Sequence, residues 1–166
     1  MIASFLKSTT RYNFTFWLPG ANVLRGWARS ACGETTEGIA WIERGIADWV
    51  ATGATLFIPD YLALKAEGLH FADRSSEALE AITEAEALVA RTRECWWQAD
   101  LHRLRDVFLV VLGADGAQIE ASFSEAIRIA KEQKPVSLAK RAEATYGEYR
   151  RQRADASGGH EFRLHG

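Results

Sequence analysis

"WWQADLHRLRDVFLVVLG", residues 96–113, is the stretch from which the rest of the chain can be read. Its apolar positions Trp97, Leu101, Leu104, Phe108 and Val111 advance by threes and fours. Side chains at that spacing stack on one side of an α-helix, so the run predicts a buried helical stripe. Asp100, Arg103 and Asp106 fall on other faces. Gly113 is the expected stop, because glycine accepts the left-handed conformation needed just past a helix C-terminus. As head of the stripe, Trp97 is expected to be buried, so Trp97→Ala should cost roughly 3–5 kcal/mol. Trp96 is expected to be only partly covered.

Counting back by forty finds the same landmarks. Trp97 maps to Phe57 and Trp17, Leu104 to Leu64 and Leu24, and Gly113 to Asp73 and Gly33. The intervening segments agree. Ile39, Ile42, Ile46, Trp49 and Val50 form one stripe, and Leu79, Ile82, Ala85 and Val89 form its counterpart. In the third unit the offset becomes 41, carrying Ile82 to Phe123 and Ala85 to Ala126, with the extra residue placed in "GADGAQ". The chain is therefore read as an internal repeat. Helices are expected over residues 2–10, 15–32, 35–52, 56–72, 75–93, 95–112, 117–133 and 136–153. Pro59 is tolerated because it lies near a first turn, where few backbone N–H groups are needed. Residues 154–166, "ADASGGHEFRLHG", lose the pattern and are expected to be a disordered tail after a single repeat domain over 1–153.

A helical hairpin cannot bury both of its stripes alone, so such units stack. The expected fold is all-α: a tetratricopeptide-like right-handed superhelix of antiparallel hairpins, with about 40 residues per repeat. Phe123 and Ala126 resemble the second-helix aromatic and alanine of the tetratricopeptide motif, although that unit is usually nearer 34 residues.

The chain has 166 residues, 48% hydrophobic and 25% charged, which is a globular rather than a disordered composition. A net charge of −2 supplies no basic field for a phosphate backbone, so nucleic acid is not an expected partner. "MIASFLKS" is too short for a signal peptide, and no run approaches a membrane span of about 18 apolar residues. Cys32 and Cys95 sit in no C-x-x-C motif and read as buried, reduced thiols of a cytoplasmic protein.

"LRGWA" at 24–28, "TEGIA" at 36–40, "ADWVATGATLF" at 47–57 and "RECWWQADLHRLR" at 93–105 occur in order along the chain. Together these motifs resemble the C-terminal helical-repeat region of bacterial multidomain signalling ATPases, a group of adenylate/guanylate cyclase–ATPase proteins and related transcriptional regulators. The resemblance covers residues 2–153 and implies a regulatory or partner-binding array rather than a catalytic domain. Relative to that family the chain is expected to begin within the second helix of one unit and to stop after the first helix of its fourth. No G-x-x-x-x-G-K-[ST] phosphate loop and no cyclase aspartate pair can be placed, so neither activity is carried over.

No residue is assigned a catalytic, cofactor-binding or metal-binding role. His70 and His102 lie on different helices without a ligand at i+4, and His160 and His165 lie in the tail. "GADGAQIEASF" lacks the carboxylates of a calcium loop, since Ser122 would stand at the bidentate position. The glutamates of "EALEAITEAEA" read as a solvated helix face. One surface pattern stands out: Arg25, Lys65 and Arg105 each follow the repeated leucine, forming a basic ladder suited to an acidic peptide or a neighbouring domain. A second candidate is the last helix, where Leu138, Tyr146 and Tyr149 lack a following helix and would support homo-oligomerisation. The leading expectation is a non-catalytic interaction module whose partner is a protein, a peptide or another domain of a longer parent, with no cofactor, nucleic acid or membrane. A self-associating structural fragment and a small-ligand-sensing helical array are the alternatives.

Overall fold

The computed structural model describes residues 15–92, 97–133 and 136–155, and these are all-α, with no strand among them. A 3-10 turn, Thr15–Trp17, leads into α1 (Leu18–Ala31), followed by α2 (Thr35–Ala51), α3 (Ile58–Phe71) and α4 (Ser75–Thr92). Then come α5 (Gln98–Val111), α6 (Gly116–Gln133) and α7 (Val136–Asp155). The helix expected over residues 2–10 and the tail from residue 156 lie outside the described residues.

Helices α1, α3 and α5 share one local design at a spacing of forty residues. They start at Leu18, Ile58 and Gln98 and end at Ala31, Phe71 and Val111. Gly33, Asp73 and Gly113 follow with φ of 93°, 58° and 71°. Glycine adopts this region freely and aspartate tolerates it better than most side chains. The backbone N–H groups of Glu34, Arg74 and Ala114 then donate to the carbonyls of Arg29, Leu69 and Leu109 at 3.0, 2.9 and 3.0 Å. This is the bond that satisfies an orphan carbonyl in a Schellman ending. After Gly113 the next helix begins one residue later than after Gly33 or Asp73, as the 41-residue offset requires.

The starts of these helices correct one expectation. Trp17, Phe57 and Trp97 all stand at the N-cap, just outside the helix. Trp97 is therefore not the head of the buried stripe; it is 38% exposed, whereas Leu101, Leu104 and Phe108 are 0–1% exposed. A residue at the N-cap has left the helical path, so the three-and-four spacing no longer fixes where its side chain goes. Val111, the last helical residue, and Val50 near the end of α2 are exposed as well. Trp96 lies outside the described residues.

The helices fall into two compact units, α1–α4 and α5–α7. In the first unit α1 packs on α2 and α3 on α4, while α3 also touches α1 and α2. Its centre is Val23, Ile42, Trp49 and Tyr61, with Ile46, Phe57 and Leu64 packed around them. The α1–α2 contact is close because glycines face it. A Cβ on Gly26 would stand 2.5 Å from the Gly38 carbonyl oxygen, and one on Gly38 would stand 2.6 Å from that of Gly26. Alanine usually favours a helix over glycine by about 1 kcal/mol, but overpacking costs about 1–3 kcal/mol. Gly38→Ala is expected to lower the urea midpoint. Gly147→Ala in α7, where the nearest atom is the end of the Arg151 side chain at 3.8 Å, is expected to raise or preserve it.

In the second unit α5 packs against both α6 and α7, and α7 against α6. Nine of the residues of α5 are buried, among them Asp100, Arg103 and Asp106. These three are not on solvated faces, because a helix with neighbours on two sides covers more than its apolar stripe. On α6, Ile119, Phe123 and Ala126 are buried.

Candidate interaction surface

The basic side chains singled out from the sequence are engaged with their own fold. The Arg25 guanidinium lies over the Trp41 ring of α2 at 4.6 Å from its centroid. Lys65 Nζ meets Glu43 Oε1, also on α2, at 2.9 Å. Arg105 is half-buried on α5, in the other unit. Arg25 and Lys65 thus belong to one arrangement, first-helix cations leaning on the second helix of the first hairpin. Trp27 Nε1 donates to Glu67 Oε2 at 2.6 Å, joining α1 to α3 at positions forty residues apart. The two first helices therefore lie side by side in register.

This surface is electrostatically exchangeable. The Lys65 and Glu43 side chains are 28% and 52% exposed, and exposed pairs contribute only about 0–1 kcal/mol. Arg29 bonds Glu34 and Glu37, each at 2.6 Å, so the α1–α2 edge alternates charge and indole. Such a surface can trade an internal carboxylate for one brought by a partner at small cost.

The other candidate, the last helix, is built differently from the expectation. Tyr149 is buried, stacked on Phe123 of α6 at 5.5 Å, and Tyr146 is half-buried against the same ring at 5.2 Å. Tyr149 is therefore covered within its own unit rather than left open at the end of the chain's last helix. Tyr146 and Tyr149 of α7 thus help to cover Phe123, which is fully buried. The Leu138 side chain lies outside the described residues.

The titratable residues have structural employment. His70 Nδ1 lies 3.1 Å from Ser75 Oγ across the α3–α4 turn. Burial holds its pKa below the usual 6.5, against an opposing pull from Asp73. Burial, helped by Asp60, pushes the Tyr61 hydroxyl up to about 12. Glu125 is held low by its hydrogen bond from Arg128, with Arg128 and His102 charges adding to this. Asp115 in the "GADGAQ" loop accepts the Ala117 N–H at 3.0 Å, so this loop starts α6 as a helix connection. Cys32 is exposed rather than buried, because it caps the end of α1 in the turn to α2. Cys95, His160 and His165 lie outside the described residues. Among the described residues no three of His, Cys, Asp and Glu gather as metal ligands, and no helix is long and apolar enough to cross a membrane.

One charged cluster escaped the sequence reading. Arg103 Nε donates to Asp100 Oδ1 at 2.8 Å, with Arg141 of α7 at 3.6 Å from the same oxygen. The i, i+3 spacing of Asp100 and Arg103 was a visible signal for the pair, since such neighbours meet on a helix. Its burial was not visible, because that depends on what packs against α5.

The chain matches no protein-family profile, and no solved structure matches it. It is 29% identical over 126 residues to an uncharacterized protein of Rhizobium meliloti (strain 1021), a match spanning 75% of this chain and 12% of that protein.

Proposed function

We propose that this chain is a non-catalytic, tetratricopeptide-like interaction module, a right-handed array of helical hairpins that serves signal transduction within a larger cytoplasmic bacterial protein. The observation that supports this most is the recurrence of α1, α3 and α5 at identical lengths and identical endings forty residues apart. Stacked hairpins present extended surfaces, which is what a partner-binding array requires. The similarity to a short portion of a much longer bacterial chain fits a module that acts on behalf of other domains.

The residues proposed to meet the partner are Arg25 and Lys65 on the first unit and, taken by itself, Arg105 on the second, and the partner is an acidic peptide or an acidic segment of a neighbouring domain. Replacing three partly exposed cations removes roughly 0.2–1 kcal/mol each, so affinity should fall about three- to hundredfold. An array of acidic peptides, probed with the wild-type chain and with Arg25→Glu/Lys65→Glu/Arg105→Glu, tests this. Peptides held by the wild type and lost by the variant are the expected result. Equal retention by both chains would remove the basic surface from the proposal. ATP hydrolysis by the pure chain, abolished by a point substitution, would overturn the non-catalytic reading.

A further inference from the structure

Five aromatic rings of the first unit pack into one cluster. Phe16 and Trp17 ahead of α1, Trp49 near the end of α2, and Phe57 and Tyr61 at the start of α3 have neighbouring centroids 5.1–6.4 Å apart. Trp49 and Tyr61 are buried. Phe16 and Trp17 rest against Trp49 yet remain 47% and 41% exposed, and Leu56, whose carbonyl accepts the Trp49 indole N–H, is 48% exposed. Packing within the cluster thus leaves much of its outer rings in water, and grouped exposed apolar side chains mark interaction sites. The charges around it are of one sign. Residues 15–24 and 45–64, which build the cluster, hold only two charged side chains, Asp48 and Asp60, both acidic. Asp48 stands in the last turn of α2 and Asp60 in the first turn of α3, next to Tyr61. In this unit α1, α3 and α4 carry Arg29, His70 and Arg91 in their last turns, whereas the last turn of α2 has no basic residue to offset the negative end of its dipole. Aromatic rings flanked by negative charge are an environment for a cation. The same unit already seats a guanidinium on an indole, where Arg25 lies over Trp41 at 4.6 Å.

We propose that this aromatic end of the first unit docks a peptide segment of a partner protein that carries an arginine between apolar residues. The guanidinium rests against the exposed rings of Phe16 and Trp17 and is drawn there by Asp48 and Asp60, while its apolar neighbours cover Leu56. Arginine fits better than lysine, because its planar, weakly hydrated head group stacks on aromatic rings. Burying the apolar flanks supplies the driving force, and the charge supplies the selectivity. The site is made of different residues from the Arg25 and Lys65 surface and takes the opposite charge, so it stands whether or not an acidic partner binds there.

Fluorescence anisotropy of dye-labelled, end-capped peptides titrated with the full chain tests this. The peptides share leucine flanks and differ at the centre, which is arginine, lysine, glutamine or glutamate. The arginine peptide is expected to bind about two- to fivefold tighter than the glutamine peptide, with the glutamate peptide weakest. Trp17→Ala should weaken the arginine peptide by about five- to thirtyfold while the circular dichroism spectrum stays that of the wild type. Asp48→Asn with Asp60→Asn should narrow the gap between the arginine and glutamine peptides and reduce its dependence on salt. Arg25→Gln with Lys65→Gln should leave the arginine peptide bound as before, which separates this site from the acid-binding surface. Equal affinity for the arginine and glutamine peptides overturns the proposal, as does the absence of saturable binding. A Trp17→Ala chain with wild-type spectrum and wild-type affinity also overturns it. If Trp17→Ala alters the spectrum, the aspartate variant decides, and an undiminished preference for arginine there sinks the proposal. Light scattering that shows a dimer dispersed by Trp17→Ala but not by the arginine peptide would give the surface to a second copy instead.

Discussion

Trp49→Ala is expected to destabilise the first unit by roughly 3–5 kcal/mol, the range for truncating a large buried aromatic. Trp49 is 1% exposed, and its ring lies 5.1–6.2 Å from those of Phe16, Trp17, Phe57 and Tyr61. Removing it therefore strips packing partners from four neighbours at once. Its indole N–H also donates to the Leu56 carbonyl at 2.8 Å, tying the end of α2 to the loop before α3. Leu56 is exposed, so water can replace that donor, and most of the loss is packing. Chemical denaturation followed by circular dichroism measures the effect. Trp17→Ala and Trp97→Ala, at rings 41% and 38% exposed, are expected to cost clearly less. A Trp97 variant as damaging as the Trp49 variant would contradict the N-cap placement.

Asp100→Ala carries the second large expected loss, about 3–5 kcal/mol, because it removes one side of a buried ion pair. The side chains of Asp100 and Arg103 are 11% and 7% exposed, and Arg141 approaches the same carboxylate oxygen. Taking the carboxylate away removes the Asp100 charge that helps to offset the desolvation of the Arg103 guanidinium. Replacing both residues with apolar ones of similar volume, Asp100→Leu with Arg103→Met, should recover most of the stability, as buried pairs contribute little net. Thermal melts of the single and double variants decide the point. A double variant no better than Asp100→Ala would show that the cluster does more than neutralise itself.

The helical part of this fold was legible because it is set by local chemistry. The three-and-four spacing in α5, and the glycine or aspartate forty residues apart at 33, 73 and 113, depend on backbone geometry and side-chain period alone. Pro59 in the first turn of α3 likewise stands where a missing N–H is harmless. The burial of Ile42, Ile82 and Phe123 followed from the same period. Trp97 was misjudged because a stripe continues on paper past the point where the helix begins.

Tertiary structure decided the rest. Whether Asp100 and Arg103 face water depends on α6 and α7 closing over α5, and the spacing of charges along one helix contains no record of its neighbours. Tyr149 is buried because Phe123 needs cover from α7, a contact between residues that the sequence separates by a whole helix connection. The contacts of Arg25 and Lys65 were decided in the same way. Their recurrence at forty residues is written in the sequence, but only the packing of α2 supplies Trp41 and Glu43 to meet them. Period is a property of the chain alone, whereas burial and pairing are properties of what the chain folds against.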